Sequence, residues 1–266
     1  LHYESFGDPG QPTLLLINGL GSQCVNYDVS WCELFADEGF RVVRFDNRDV
    51  GLSTKLDGVD YSLADMADDA IAVLDAVGVQ KAHVMGCSMG GMIAQRLAID
   101  HGDRLLSMTS VMSRTGEPGY GDSSEAALAF LMAPPASSRS AYIDDRVAAL
   151  HVYGSKPEWL DDEAIRERAA AAYDRCFCPK GTGRQMRAVG HDGSRAEQLA
   201  KIDLPVLVLH GSRDTLIDPS GGRRTAAIIP GARYVEIEGM GHDYPPAVWN
   251  EWVGVWSEFV RASARA

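Results

Sequence analysis

Residues 82–91 constrain the fold of this chain more than any other stretch. Ala82, His83, Val84 and Met85 form a short apolar run that ends in Gly86-Cys87-Ser88-Met89-Gly90, a Gly-x-Ser-x-Gly pattern. Apolar residues at helical spacing follow: Met92, Ile93 and Leu97, with Gln95 and Arg96 on the opposite side. The pattern predicts a strand, a sharp turn and a helix. Such a turn forces its central residue into a strained backbone conformation, at a cost of about 1–3 kcal/mol. Glycines flank Ser88 because a Cβ at those positions would strike neighbouring chain. The turn lifts the serine hydroxyl clear of the sheet edge. It also aims the unpaired N–H groups of a helix N-terminus at whatever the hydroxyl attacks.

The surrounding chain predicts a sheet to hold this turn. Strands are expected at Tyr3–Phe6, Thr13–Ile17, Arg41–Phe45, Leu105–Val111, Leu204–Leu209 and Tyr234–Ile237, with breakers such as Gly7-Asp8-Pro9-Gly10 between them. Helices are expected at about 27–38 and 62–77. The second repeats Leu63, Met66, Ala70, Leu74 and Val77 at helical spacing and opens on Ser62 with Asp65, a capping box. Strands alternating with helices imply an α/β fold, with a mostly parallel sheet covered on both faces. In such sheets ligands bind beyond the carboxyl ends of the strands.

One block breaks the alternation. Between residues 114 and 195 the only periodicity is helical, over about 125–132, 140–151, 161–176 and 180–190. Some 80 residues exceed any ordinary loop. The expected organisation is a core of residues 1–113 and 196–266, with 114–195 inserted as a helical lid. Phe130, Met132, Trp159 and Phe177 are its candidate lining residues. A final helix at about 247–262 carries Trp249, Trp252, Trp256 and Phe259 on one face. Such a stripe suits packing on the sheet better than a homodimer interface, and oligomeric state is not read from it.

Composition narrows the partners. The chain has 266 residues, 45% of them hydrophobic, and a net charge of −12. That charge argues against nucleic acid and against anionic membranes. No apolar run reaches the length of a membrane span. Five cysteines, with neither a disulfide spacing nor a zinc pattern, suit reduced thiols and a cytoplasmic location. The chain begins at Leu1 on what reads as a strand entered midway, so an earlier segment is expected.

A serine hydroxyl needs a base in hydrogen-bond reach and a third group to orient that base. His242 is the candidate base. It follows the Tyr234–Ile237 strand in Gly239-Met240-Gly241-His242, where glycines permit a tight loop. His2, His83 and His210 fall within strand patterns and read as core or surface residues. Asp214, in His210-Gly211-Ser212-Arg213-Asp214, is the candidate acid; Asp218 reads instead as a helix start before Pro219. The order Ser88, Asp214, His242 is that of one serine hydrolase architecture and differs from the others. Two N–H donors are needed for the oxyanion. Met89 follows the nucleophile, and Leu20 lies in the loop Asn18-Gly19-Leu20-Gly21 after the Thr13–Ile17 strand.

These motifs, with Phe45-Asp46-Asn47-Arg48-Asp49-Val50-Gly51-Leu52-Ser53, resemble the α/β-hydrolase fold. Within it the chain is similar to the aclacinomycin methylesterase-like and cofactor-free haloperoxidase-like esterases. Two positions depart from the usual pattern: Asn18 stands where histidine is common, and Asp49 where glycine is. Asp46 and Arg48 read as loop-fixing residues. The resemblance implies a serine esterase acting on a small-molecule ester through an acyl-enzyme, with no cofactor and no metal. Serine at the elbow disfavours the dehalogenase and epoxide hydrolase relatives, which use a carboxylate there. Perhydrolysis, C–C cleavage and lactone cleavage use the same residues, and a non-catalytic ligand-binding protein is the reading from another class.

Overall fold

The computed structural model describes residues 1–264. Seven strands form one sheet: β1 (Tyr3–Phe6), β2 (Thr13–Ile17), β3 (Arg41–Phe45), β4 (Ala82–Cys87), β5 (Leu105–Val111), β6 (Val206–Gly211) and β7 (Arg233–Ile237). Their spatial order is β1-β3-β2-β4-β5-β6-β7. All neighbours run parallel except β1, which pairs antiparallel with β3 at the edge. The expected strand at 204–209 starts later, at Val206. Pro205 has no N–H for the ladder; its carbonyl still accepts from Met108 N–H at 3.0 Å.

Strand β2 explains why helices must cover both faces. All five of its residues are buried, and successive side chains point to opposite sides. Leu15 and Ile17 pack with α2 (Leu63–Ala76) and α3 (Met89–Asp100) in one cluster. Leu14 and Leu16 pack on the other side with α1 (Val29–Asp37). Helix α2 opens on the capping box of Ser62 and Asp65.

Between β5 and β6 the chain is helical: α4 (Glu125–Leu131), α5 (Arg139–Tyr153), α6 (Asp162–Arg175), α7 (Pro179–Asp192) and the short α8 (Ala196–Leu199). The two ends of this insertion meet. Arg195 N–H donates to the Thr115 carbonyl at 2.9 Å, and the buried Arg195 guanidinium bonds the Arg114 carbonyl and Gln95. Of the four expected lining residues, Met132 is 66% exposed and points to solvent. Phe177 stacks on Tyr173, with centroids 4.6 Å apart. Trp159 lies over Gly239.

Helix α9 (Ser220–Ile228) follows β6, and Asp218 accepts the Ser220 N–H at its start. The last helix, α10 (Trp249–Ser263), presents Trp252, Trp256 and Phe259 to the core. Trp252 meets Trp31 edge-on at 5.7 Å, and Trp256 meets Phe35 edge-on at 5.1 Å. Each such pair adds about 0.5–1.5 kcal/mol beyond its buried area. The aromatic stripe is therefore accounted for by intramolecular packing. Among the described residues no helix is long and apolar enough to cross a membrane.

Candidate active site

Ser88 sits between β4 and α3 with φ +58° and ψ −121°. Few non-glycine residues adopt a positive φ, and the neighbours hold this one in place. Ser88 N–H donates to the Val111 carbonyl at 2.9 Å, and Ser113 Oγ donates to the Ser88 carbonyl at 2.8 Å. A Cβ at Gly86 would strike the Gly90 carbonyl, and one at Gly90 would strike the Ile17 carbonyl. The turn is thus possible only with glycine at both positions. Ser88 is half-buried, and Met89 begins α3, where an α-helix leaves its first N–H groups without partners.

Asp214 lies three residues beyond β6 and His242 five beyond β7. Their side chains meet: His242 Nδ1 and Asp214 Oδ2 are 2.7 Å apart. Asp214 Oδ1 accepts the Leu216 and Ile217 N–H groups, each at 2.9 Å. Burial alone would raise the Asp214 pKa; the charge of His242 and hydrogen bonds from His210 and His242 outweigh it and hold it below the ordinary value. A carboxylate at Oδ2 makes Nδ1 the donor, which leaves Nε2 of a neutral His242 as a proton acceptor.

His210 adds a partner that its strand position did not announce. Its Nε2 lies 2.8 Å from the Ile217 carbonyl and 3.3 Å from Asp214 Oδ2. A carbonyl only accepts, so Nε2 carries the proton. The ring is fully buried, and a Cβ at Gly222 would come within 2.5 Å of its Nδ1. Gly222 was the one sequence signal that a bulky group packs there.

The loop 18–22 runs against Ser88. A Cβ at Gly19 would lie 3.2 Å from Ser88 Cβ and 3.7 Å from its Oγ. Ser22 N–H closes a turn on the Gly19 carbonyl at 3.2 Å, with Leu20 and Gly21 at its centre. Helix α7 touches this turn, because Gly21 N–H donates to Gln185 Oε1 at 2.9 Å.

The loop carrying His242 is held by the end of α5 and the residues after it. His242 N–H donates to the Tyr153 carbonyl at 2.7 Å, and Gly241 N–H to Ser155 Oγ at 3.0 Å. A Cβ at Gly241 would strike Gly154. Ser155 N–H and Oγ both donate to Asp243 Oδ1, at 2.9 and 2.5 Å. Burial raises the Asp243 pKa despite these bonds. The Tyr153 and His242 rings meet edge-on at 6.0 Å.

The loop after β3 fixes a third wall. Asp46 accepts the Cys24 and Leu52 N–H groups and pairs with Arg175 at 2.8 Å; Arg48 pairs with Asp69. Asp49, at the usual glycine position, has φ +74°. Its carboxylate accepts the Leu56 N–H and the Tyr61 hydroxyl and takes both ends of the Arg184 fork, at 2.7 and 2.6 Å. Burial would raise its pKa, but Arg184, Leu56 and Tyr61 lower it. Among the described residues, His2, Glu4 and Cys24 place three ligand atoms within 4.8 Å of one another. Arg44 already pairs with Glu4, and Arg175 contacts Cys24 Sγ, so positive charge is supplied without a metal.

A family model described as the alpha/beta hydrolase fold matches residues 12–244. The chain belongs to this family. It is 33% identical to rhodomycin D methylesterase DauP of Streptomyces sp. (strain C5), over 92% of this chain and 89% of that protein. It is 27% identical to 3-oxoadipate enol-lactonase 1 of Acinetobacter baylyi, over 81% and 76%. Among solved structures, a hydrolase from Pseudomonas aeruginosa PA01 superposes with a TM-score of 0.76 at 26% identity, covering 99% of this chain and 94% of that one.

As an α/β-hydrolase, the chain brings Asp214 and His242 into contact, and lays the Asn18–Gly21 loop against Ser88 beside the N-terminus of α3. Asp218 takes no part in this contact. Three residues outside the sequence motifs also reach the site's loops, Ser155, Arg184 and Gln185, and His210, expected only as a core or surface residue, contacts Asp214.

Proposed function

We propose that this α/β-hydrolase is a serine esterase acting on a small to medium hydrophobic carboxylic ester. Ser88 is the nucleophile, His242 the general base and Asp214 its orienting acid. The observation that carries the reading is the combination of a strained, half-buried Ser88 with a His242 whose Nδ1 is held by a buried carboxylate. Strain of that kind persists only where surrounding structure enforces it.

In this reading Ser88 Oγ attacks the ester carbonyl as His242 Nε2 takes its proton. Negative charge collects on the carbonyl oxygen, which the Leu20 and Met89 N–H groups receive. Removing one such donor typically costs about 2.7–4 kcal/mol of transition-state stabilisation. His242 then protonates the leaving alcohol, and the acyl group stays on Ser88. Water, activated by His242, releases the acid and restores the serine. No cofactor or metal enters a step.

Residues 114–195 serve as a lid over the strand ends. Support comes from their joined entry and exit at Thr115 and Arg195, and from their contacts with the His242 and Gly21 loops. The methylesterase relative favours a methyl ester, whose leaving alcohol is small. The lactonase relative keeps cyclic esters as a second reading with the same residues.

Parallel rate measurements with p-nitrophenyl acetate, a methyl ester of an aromatic acid, an enol-lactone, a β-diketone, and hydrogen peroxide with acetate as the acyl donor test the assignment. Fastest turnover of the acyclic esters is expected. Faster perhydrolysis, C–C cleavage or lactone opening moves the activity to that class, and no turnover of any of them contradicts catalysis.

A further inference from the structure

We propose that Gln185, in the helical insertion, is a positioning residue that sets the conformation of the oxyanion loop. The inference rests on the esterase reading and extends it from the core to the lid.

The argument starts from the turn. Gly19 to Ser22 closes with a hydrogen bond, and Gly21 at its third position has φ +66°. A positive φ there is the mark of a type II turn, in which the central peptide, Leu20 C=O to Gly21 N–H, faces one way. The alternative turn type flips that peptide by rotating Leu20 ψ and Gly21 φ, which takes the Gly21 N–H away from Gln185 and changes how the loop, with the Leu20 N–H assigned to the oxyanion, is seated against Ser88. Glycine at 21, the third position, makes such a flip cheap. Something must therefore hold the central peptide.

Gln185 does so from the other side of the chain. Its Oε1 accepts the Gly21 N–H at 2.9 Å, which is the N–H of the central peptide itself. Its Nε2 donates to the Arg48 carbonyl at 2.8 Å. With both ends engaged and no exposed surface, the amide has one orientation. The rest of α7 fixes where that amide stands. Arg184 forks onto Asp49 next to it. A Cβ at Gly181 would strike the Asp49 carbonyl, and one at Gly21 would come within 2.9 Å of Thr182 Oγ1. Helix α7 is seated between the Asn18–Gly21 loop and the Asp46–Ser53 loop, and Gln185 ties both.

The test replaces Gln185 with Leu and, separately, with Met, which fill its volume without either hydrogen bond. Arg187→Ala, on the exposed side of the same helix, is the control. Turnover of p-nitrophenyl butyrate and inhibition by an alkyl trifluoromethyl ketone, which forms an oxyanion adduct with a serine, are measured alongside thermal melting. Both Gln185 variants are expected to lose about 10- to 100-fold in kcat with KM within about twofold. That is less than the loss on removing an oxyanion donor outright. The inhibition constant should rise by the same factor as kcat falls, and the control should match wild type. Unchanged kcat and inhibition in a variant that melts normally overturns the proposal. So does a loss in which kcat, KM and melting temperature deteriorate together in both variants, since that marks a structural role. Absence of wild-type turnover overturns both this inference and the esterase reading, whereas a normal wild type with indifferent variants overturns the inference alone.

Discussion

The turn that carries Ser88 and the loops that face it are built by different rules. The turn is held by its own neighbourhood: Gly86 against Gly90, Gly90 against the end of β2, Ser88 N–H on β5. Strand pairing, steric exclusion and the nearby Ser113 hydroxyl on the Ser88 carbonyl account for its geometry. The loops of Gly21 and His242 are held from the inserted helices instead, through Gln185 to Gly21 and through Tyr153 and Ser155 to Gly241 and His242. Ser88 is thus encoded locally and its surroundings at long range. A change in the insertion can alter the surroundings of Ser88 without disturbing Ser88, and this division offers a route by which a fixed elbow acquires different rates and substrates.

The Asp214–His242 pair gives the largest effect that leaves the turn untouched. Asp214→Asn offers an amide N–H to His242 Nδ1 and favours the tautomer with its proton on Nε2, facing the nucleophile. Loss of about 10⁴-fold in kcat is expected, with the fold retained by circular dichroism. A loss below tenfold would show that His242 is oriented by its loop rather than by Asp214.

His83 tests the other side of the comparison, because it lies on β4 yet far along the strand from Ser88. Burial depresses its pKa to about 4, and it meets Ser107 Oγ at 2.8 Å. The unfolded chain takes up this proton below its ordinary value of 6.5, whereas the native protein refuses it until about pH 4. The stability is therefore complete above pH 6.5 and is lost as pH falls from there to 4, by up to about 3 kcal/mol. His83→Phe should flatten that window in urea titrations, and leave ester turnover at pH 7.5 unchanged. A coupled change in turnover would mean that the elbow is not insulated from its strand.

Ser155→Ala removes the brace of the His242 loop. It deprives Gly241 N–H of its acceptor and Asp243 of its short hydrogen bond. A net contribution of about 1.5 kcal/mol is ordinary for a bond to a charged group, so kcat should fall about tenfold, read with saturating p-nitrophenyl butyrate. An unaltered kcat would show that the His242 loop holds itself and would erase the distinction drawn above.

The same division explains what the sequence disclosed. The elbow, the capping box of Ser62 and Asp65, and the alternation of strands and helices are signals within a few residues of one another, and they are found where expected. Asp214 and His242 were legible because each follows a strand by a short, glycine-marked loop. Ser155 and Gln185 were not, since each acts on a loop 86 or 164 residues away in the chain. His210 is the buried strand histidine its position implies, but its contact to Asp214 is not legible because it depends on the turn between them. Gly21, Gly222 and Gly241 were the available traces: each marks a place where another part of the chain comes too close for a side chain. Asp49 hid its role for the opposite reason, standing in a glycine-like conformation secured by Arg184 from α7.

The central claim is that Ser88 carries the acyl group, and covalent labelling tests it most directly. The protein is treated with an alkyl fluorophosphonate, its intact mass measured and the modified peptide sequenced, beside Ser88→Ala and Asp214→Asn. The account predicts a single phosphonyl group on Ser88, no adduct in Ser88→Ala and slow labelling in Asp214→Asn. An unlabelled wild-type protein, or an adduct on another residue that persists in Ser88→Ala, would contradict it.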